Sequence, residues 1–293
     1  MRSSSPSSSE TQAQARVVGE ARGVLARLGR DARALEIVTP PLCSGRATIY
    51  ALGRDGTSLY VAKLPIGADR LAEATAEYDA LRTCFRWWRG EDAHAVPEPI
   101  ALLPDCGGLL MSYLPGVSLS RVLRGAMVRP VRVRAAVAAA GDFLRRLHRH
   151  ATADETVIDL RALAVEVCDA ERAELRPLGL RLPEAVRRIL DQAPSVRLRV
   201  RQVLLHGDFA PRNLIVTGPA QVAAIDPILR VAGLPEDDLA SFLALMSADS
   251  LFVAGLVFPP CRRARAALER AFREAYGVEQ TTLAVLELRL LDD

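Results

Sequence analysis

Lysine is almost missing from this chain. Of its 293 residues, 38 are basic, and all of those but Lys63 are Arg. Arg is a planar fork, whereas Lys is a compact point charge on a flexible stem. A lone Lys is therefore either a chance survivor or the mark of chemistry that Arg cannot replace. Paired cysteines are missing too. The five Cys (Cys43, Cys84, Cys106, Cys168 and Cys261) include no C-x-x-C pair, and the four His add no zinc spacing. Scattered thiols of this kind predict free cysteines in a reducing compartment, hence a cytoplasmic protein. No apolar run approaches the roughly 18–20 residues of a membrane span. The longest near the C-terminus is Leu251 to Phe258, and no apolar signal-peptide core follows Met1. Net charge is only +3, too small to argue for nucleic acid or an anionic membrane. Gly and Pro, 19 and 18 residues, exclude a collagen-like or Pro-rich chain.

With 50% apolar and 25% charged residues, the composition is that of an ordinary globular protein. The length suits one large domain or two lobes. Residues 1–11 are Ser-rich and lack large apolar side chains, which predicts disorder. Val17, Val18, Val24, Leu25 and Leu28 then predict one amphipathic helix, so residues 1–33 read as a tail plus a helix. Residues 34–115 read mostly as strand. Ala47 to Leu52 and Ser58 to Leu64 flank the turn Arg54-Asp55-Gly56-Thr57. Ala68 to Cys84 reads as a helix, and Pro99 to Leu103 and Leu109 to Tyr113 as two more strands. Residues 116–293 change to helix, with long patterns at Val131 to His150, Ala162 to Leu175, Pro183 to Leu190 and from Asp238 onward. A strand–loop–strand unit interrupts them at Val203 to Ile225. A small, mainly β lobe followed by a larger, mainly α lobe is a two-lobe α+β arrangement.

The chemistry is concentrated in His206-Gly207-Asp208-Phe209-Ala210-Pro211-Arg212-Asn213, followed by Ile225-Asp226-Pro227. An apolar strand delivers His206 to Asp208 into a loop, Asn213 begins a second apolar strand, and Asp226 ends a third. Asp208, Asn213 and Asp226 can therefore converge at one mouth. Two carboxylates and an amide oxygen are hard ligands. Mg²⁺ takes one or two carboxylates together with phosphate oxygens. The spacing H-x-D-x-x-x-x-N with a downstream Asp fits the catalytic loop of kinases.

In these residues the sequence resembles the aminoglycoside phosphotransferase family, small-molecule kinases with a protein-kinase-like fold. The His206-Gly207-Asp208 form, in place of His-Arg-Asp, is a habit of that family. The resemblance implies an ATP- and Mg²⁺-dependent transfer of phosphate to a hydroxyl of an aminoglycoside-, choline- or sugar-like acceptor. Asp208 would orient and deprotonate that hydroxyl, and Asn213 and Asp226 would hold Mg²⁺. His206 would brace the loop. Upstream, Tyr60-Val61-Ala62-Lys63-Leu64 is the strand that must supply a phosphate-binding Lys, and it carries the only Lys of the chain. Glu77 sits where the family's helix Glu sits, with Glu73 one turn away as the alternative. Ser44 and Gly45 lie where backbone amides could approach phosphate. Met111-Ser112-Tyr113-Leu114 occupies the segment whose backbone would meet the adenine edge. Asp238, in Glu236-Asp237-Asp238-Leu239-Ala240, resembles the family's Asp-Leu-Ala helix start and is expected to be an N-cap or a brace.

A protein kinase would need an activation segment after the metal Asp. Only eleven residues separate Asp226 from Asp238, and no Ala-Pro-Glu follows. A nucleotide-binding scaffold without turnover would have lost an essential residue, and none is lost. The sequence points to no nucleic-acid, membrane or obligate protein partner. Residues 236–293 hold ten acids against six Arg, a mild excess that a solvated helix face explains. The Arg cluster Arg121, Arg124, Arg129, Arg132 and Arg134 reads the same way.

Overall fold

The computed structural model describes residues 8–89, 96–166, 195–229, 232–247 and 259–278. The chain divides into two compact units, Met1–Pro115 and Gly116–Asp293.

The first unit is an antiparallel sheet of six strands with two helices. The strands are β1 (Glu36–Ile37), β2 (Leu42–Cys43), β3 (Ala47–Arg54), β4 (Thr57–Pro65), β5 (Pro99–Leu103) and β6 (Gly108–Ser112). Their order is β1-β3-β4-β6-β5, with β2 also paired to β3. The β3–β4 hairpin closes through Asp55 and Gly56, with Arg54 opposite Thr57. Both turn residues have positive φ, 51° and 74°. That is the two-residue turn whose twist matches the flanking strands, and Asp-Gly supplies it at little steric cost.

Helix α1 (Ser8–Arg27) begins within the Ser-rich stretch, earlier than composition predicts. Its stripe Val17, Ala21, Val24 and Leu25 is buried against Tyr50, Leu52, Ala62, Ile100 and Leu110. The Glu20 carboxylate accepts the amides of Asp105 and Cys106, both at 2.9 Å. Tertiary packing, not propensity, holds this helix, as is usual for helices in proteins. Helix α2 (Arg70–Trp87) buries Ala74, Ala80, Leu81 and Cys84. Side chains alternate across a strand. Ala62 therefore faces α1, and its neighbour Lys63 faces α2.

The second unit is mainly helical. Its elements are β7 (Val117–Ser118), α3 (Leu119–Leu123), α4 (Pro130–His150), β8 (Thr152–Asp159), β9 (Arg197–Leu204), β10 (Leu214–Gly218), β11 (Gln221–Ala224), β12 (Ala232–Gly233), α5 (Pro235–Ser247) and α6 (Pro259–Tyr276). Helix α4 buries Val133, Val137, Ala140, Phe143, Leu144 and Leu147 on one face. It packs closely against α6. A Cβ on Gly141 would lie 2.4 Å from the Phe272 carbonyl oxygen, so only glycine permits this crossing.

Two three-stranded sheets follow the orders β11-β10-β7 and β12-β9-β8. Strand β8 was not expected, and β9 starts six residues before the predicted Val203. The cause lies in the pairing. Glu155 stands opposite Arg201 and Asp159 opposite Arg197, and opposite charges across a ladder support it. Residues 160–166 are helical, while the remainder of the helix expected at 162–175, and the one expected at 183–190, lie outside the described residues.

Candidate active site

Two groups of residues carry the expected chemistry, one in each unit. In the first, Lys63 lies mid-strand in β4, between β3 and β6. Its Nζ donates to Glu77 Oε1 at 3.0 Å and lies 2.9 Å from Oε2. Both side chains are mostly buried, with 13% and 14% exposure. Glu77, rather than the exposed Glu73, is the partner. The ion pair fixes the ammonium in place.

The Ser44 loop joins β2 to β3. The Ser44 amide donates to the Ala47 carbonyl at 2.9 Å, and Ser44 Oγ accepts the Ala47 amide at 3.0 Å. The Arg46 amide also reaches Ser44 Oγ, at 3.3 Å. These bonds close the loop on itself, and the Gly45 amide has no hydrogen-bond partner among the described residues. In the segment after β6 a similar selection occurs. Ser112 and Tyr113 donate their amides to the carbonyls of Glu98 and Leu59, both at 2.9 Å. The Leu114 amide has no such partner among the described residues. Of the three backbone positions expected to meet an adenine edge, Leu114 is the one whose N–H is not engaged there.

In the second unit, His206, Gly207 and Asp208 follow β9. Gly207 has φ +82°, and a Cβ there would meet Ile228 at 3.0 Å. The glycine of His-Gly-Asp is thus required by backbone conformation and by the loop packed upon it. The Ile228 amide donates to the His206 carbonyl at 2.8 Å and the Ile225 amide to the Asn213 carbonyl at 2.9 Å. Asp226 is therefore tethered on both sides to the 206–213 segment. It lies two residues beyond β11 rather than at its end, in the left-handed region with φ 60°. A non-glycine residue pays conformational strain there, a pattern that clusters at functional sites.

Asn213 closes the short 3₁₀ turn Pro211–Asn213 just before β10, instead of beginning that strand. Its Nδ2 donates to the Asp208 carbonyl at 2.9 Å. That bond engages the amide nitrogen of this buried side chain and leaves its oxygen as the atom of the pair that can accept. Arg212 donates to Asp208 Oδ1 and pairs with it across four residues. Asp208 Oδ2 has no partner among the described residues.

The brace behind this loop is Asp238, which is 3% exposed. Its Oδ2 accepts the His206 amide at 2.7 Å, and its Oδ1 the Gly207 amide at 3.0 Å. His148 Nε2 lies 3.1 Å from Oδ2, and His148 Nδ1 lies 2.9 Å from the Tyr276 hydroxyl. Burial pushes the Asp238 carboxyl up, but the His148 hydrogen bond, the nearby imidazoles and the Gly207 amide together hold it below the ordinary value. The same burial pushes the Tyr276 hydroxyl above its ordinary range. Asp238 is thus the brace and not the N-cap. The cap function falls to Asp237, whose Oδ2 accepts the Leu234 amide at 3.0 Å at the start of α5.

The His206 ring is fully buried, and neither of its nitrogens meets a partner among the described residues. It packs edge-on against Phe209, at 5.4 Å between centroids. Burial, opposed by the charges of Asp238, Asp208 and Asp226, holds its pKa below the ordinary imidazole value. Phe209 anchors the loop between Phe143 of α4 and Phe242 of α5, and Phe242 stacks on Phe272 of α6 at 4.3 Å. Phe209, Arg212, His148 and Tyr276 escaped the sequence reading. Only Arg212, four residues after Asp208, left a local signal.

The model of the phosphotransferase enzyme family (APH) matches residues 40–286. Comparison with curated proteins finds no match. Among solved structures, a macrolide 2'-phosphotransferase type I is similar at 16% identity, covering 99% of this chain and 90% of its own, with a TM-score of 0.54. A glucosamine kinase in complex with glucosamine, ADP and inorganic phosphate is similar at 19% identity, covering 96% and 76%, with a TM-score of 0.52. A choline kinase from Cryptosporidium parvum Iowa II is similar at 13% identity, covering 94% and 85%, with a TM-score of 0.51. At these identities the likeness is one of fold.

Proposed function

The chain belongs to the phosphotransferase enzyme family, and from that premise we propose that it transfers the γ-phosphate of ATP, with Mg²⁺, to a hydroxyl of a small molecule. The acceptors we propose are aminoglycoside-, choline- or sugar-like alcohols. The similar solved structures include kinases and phosphotransferases named for glucosamine, macrolides and choline. We further propose that the enzyme works in the cytoplasm.

The observation that carries this reading is the tethered triad Asp208, Asn213 and Asp226. Asp208 is held through Oδ1 by Arg212, so Oδ2 is the oxygen that meets the acceptor hydroxyl. It takes the proton as the oxygen attacks the γ-phosphorus in line, and ADP leaves. General-base help of this kind contributes about 10²–10⁴-fold. The rest of the acceleration comes from position and charge, as in phosphoryl transfer generally.

Asn213 and Asp226 fit a magnesium ion: both offer hard oxygen, and the Asn213 hydrogen bond to Asp208 uses its nitrogen and not its oxygen. Among the described residues no cluster of three or more His, Cys, Asp or Glu has metal-holding geometry. Two protein oxygens beside phosphate oxygens suit Mg²⁺ and do not suit zinc. When bound, the ion would neutralise charge on the phosphate oxygens. Lys63, held by Glu77, would bind the α- and β-phosphates. The Gly45 and Leu114 amides would meet phosphate and adenine respectively.

The test is ATP turnover with and without Mg²⁺ across a panel of small alcohols spanning amino sugars, macrolides and amino alcohols. Mg²⁺-dependent ADP release stimulated by one acceptor class supports the reading. Tight ATP binding without turnover on any alcohol would instead make the chain a nucleotide-binding scaffold.

A further inference from the structure

Residues 106–141 contain five Arg and not one Asp or Glu. In sequence these Arg resemble a solvated helix face. The structure keeps them exposed and also places three of them around a hollow. Arg121 and Val122 of α3, Val128 and Arg129 of the link to α4, and Arg132 and Val133 of α4 enclose about 290 Å³. None of the three guanidinium groups pairs with a carboxylate among the described residues. The first turn of α4 has no acid either, so nothing on that helix neutralises Arg132.

Apolar surface gathers at the same place. Val128 and Val131 are 81% and 82% exposed, and Met127 is 44% exposed. Exposed apolar side chains scattered singly mean little. Three within five residues, beside a valine-walled hollow ringed by unpaired Arg, ask for a ligand with two characters. Guanidinium forks match phosphate or carboxylate oxygens in pairs. The valines suit an apolar body. The volume lies at the lower limit of small-molecule sites, enough for a short chain or a single ring.

We propose that the hollow between α3 and α4 binds a small amphiphilic anion, a phosphate monoester or carboxylate carrying a short apolar group. The site is independent of the phosphoryl-transfer reading. It uses none of the residues assigned to that reaction. Helix α3 also packs against the Pro211–Asn213 turn.

The ligand chemistry could belong to a soluble metabolite or to a lipid headgroup, and the experiment separates them. Calorimetric titration would use hexyl phosphate, inorganic phosphate and hexanol. Co-sedimentation would use vesicles of phosphatidylglycerol in phosphatidylcholine. Hexyl phosphate should saturate one site, with phosphate and hexanol each about tenfold weaker or worse, because each supplies half of the ligand. The triple variant Arg121→Gln, Arg129→Gln, Arg132→Gln should weaken hexyl phosphate by about tenfold or more. Val128→Asp, at an exposed rim position, should act in the same direction. The control triple Arg262→Gln, Arg263→Gln, Arg270→Gln removes equal charge from the exposed face of α6 and should change nothing.

Vesicle binding that hexyl phosphate competes away supports the site and makes its source a lipid. Hexyl phosphate binding without vesicle binding supports it and makes the source soluble. Equal affinity for phosphate and hexyl phosphate, or equal loss in the control triple, would overturn the proposal, because net charge alone would then explain binding. Vesicle binding with no binding of hexyl phosphate would overturn it too, leaving a flat surface in place of a pocket. Unchanged circular dichroism melting of the variants keeps each outcome interpretable.

Discussion

The two groups of site residues are built in opposite ways. In the first unit, one ion pair on a sheet face does the positioning: Lys63 and Glu77 hold each other. In the second unit, the 206–213 loop is held from behind. Asp238, His148, Tyr276 and the Phe143, Phe242 and Phe272 rings gathered around Phe209 all bear on it. The first arrangement rests on a single pair, so a substitution that keeps the charge can alter chemistry with little cost to folding. The second ties chemistry to the core, so that a change in one reaches the other.

The sharpest form of that contrast comes from residues chosen to act on chemistry alone and on the brace alone. Asp208→Asn is isosteric and partly exposed, and should cut kcat by about 10²–10⁴-fold with ATP affinity nearly kept. Steady-state kinetics and nucleotide titration together would decide it, and equal loss of both would remove Asp208 from the role of base.

Next in size is Asp238→Asn. It leaves His148 without its carboxylate and sets an amide against two backbone N–H donors, for a loss of about 3–5 kcal/mol in denaturant unfolding. The wild-type acid limb carries the same information. Folded Asp238 titrates below its unfolded value of about 4, so its contribution is whole above that pH and is lost as pH falls further. Unfolded His206 takes up a proton near pH 6.5 that the buried ring resists, so stability already declines below that. Asp238→Asn should make the lower limb shallower and leave the upper one, the remainder of the lower limb belonging to Asp31 and Asp159, which are also held below the ordinary carboxylate range. A lower limb of unchanged depth would mean that the brace is not electrostatic.

Lys63→Arg should cost on the order of a hundredfold in turnover while leaving the unfolding curve unmoved. The wider fork cannot occupy the space beside Glu77 in the same geometry. An acylating ATP analogue should label Lys63 and be blocked by ATP. A large fall in stability would mean that the first unit, too, couples its chemistry to its fold. The smallest effect belongs to Tyr276→Phe, which removes one hydroxyl from His148. It should cost about 1 kcal/mol and lower kcat without changing the KM for ATP. An unaltered kcat would end the brace at His148.

What the sequence disclosed follows the same division. Asp55-Gly56, the Lys63 strand and the spacing from His206 to Asn213 are local patterns, and local patterns can be read along a chain. Glu77 was narrowed to two residues one turn apart, because both lie on neighbouring turns and only the packing of α2 selects between them. The brace was half visible. Asp238 stood out by resemblance, but its partners His148 and Tyr276 come from helices α4 and α6, far away in sequence. Strand β8 was missed because its evidence lies in the charges of β9, which are silent until the two strands are paired. Gly141 looks like a weak point in a helix until Phe272 crosses it.

The single lysine has one more consequence. A protease that cuts only after lysine has one internal target in this chain, the bond between Lys63 and Leu64, in the middle of β4 with a strand on either side. That bond cannot enter a protease cleft while the sheet is closed. Cleavage into two fragments therefore counts openings of the first unit, one event per molecule, with no engineered site and no label. Where opening and closing are faster than cutting, the rate gives the free energy of that opening directly. Denaturant, temperature or ATP could each be followed on a gel by the survival of one band.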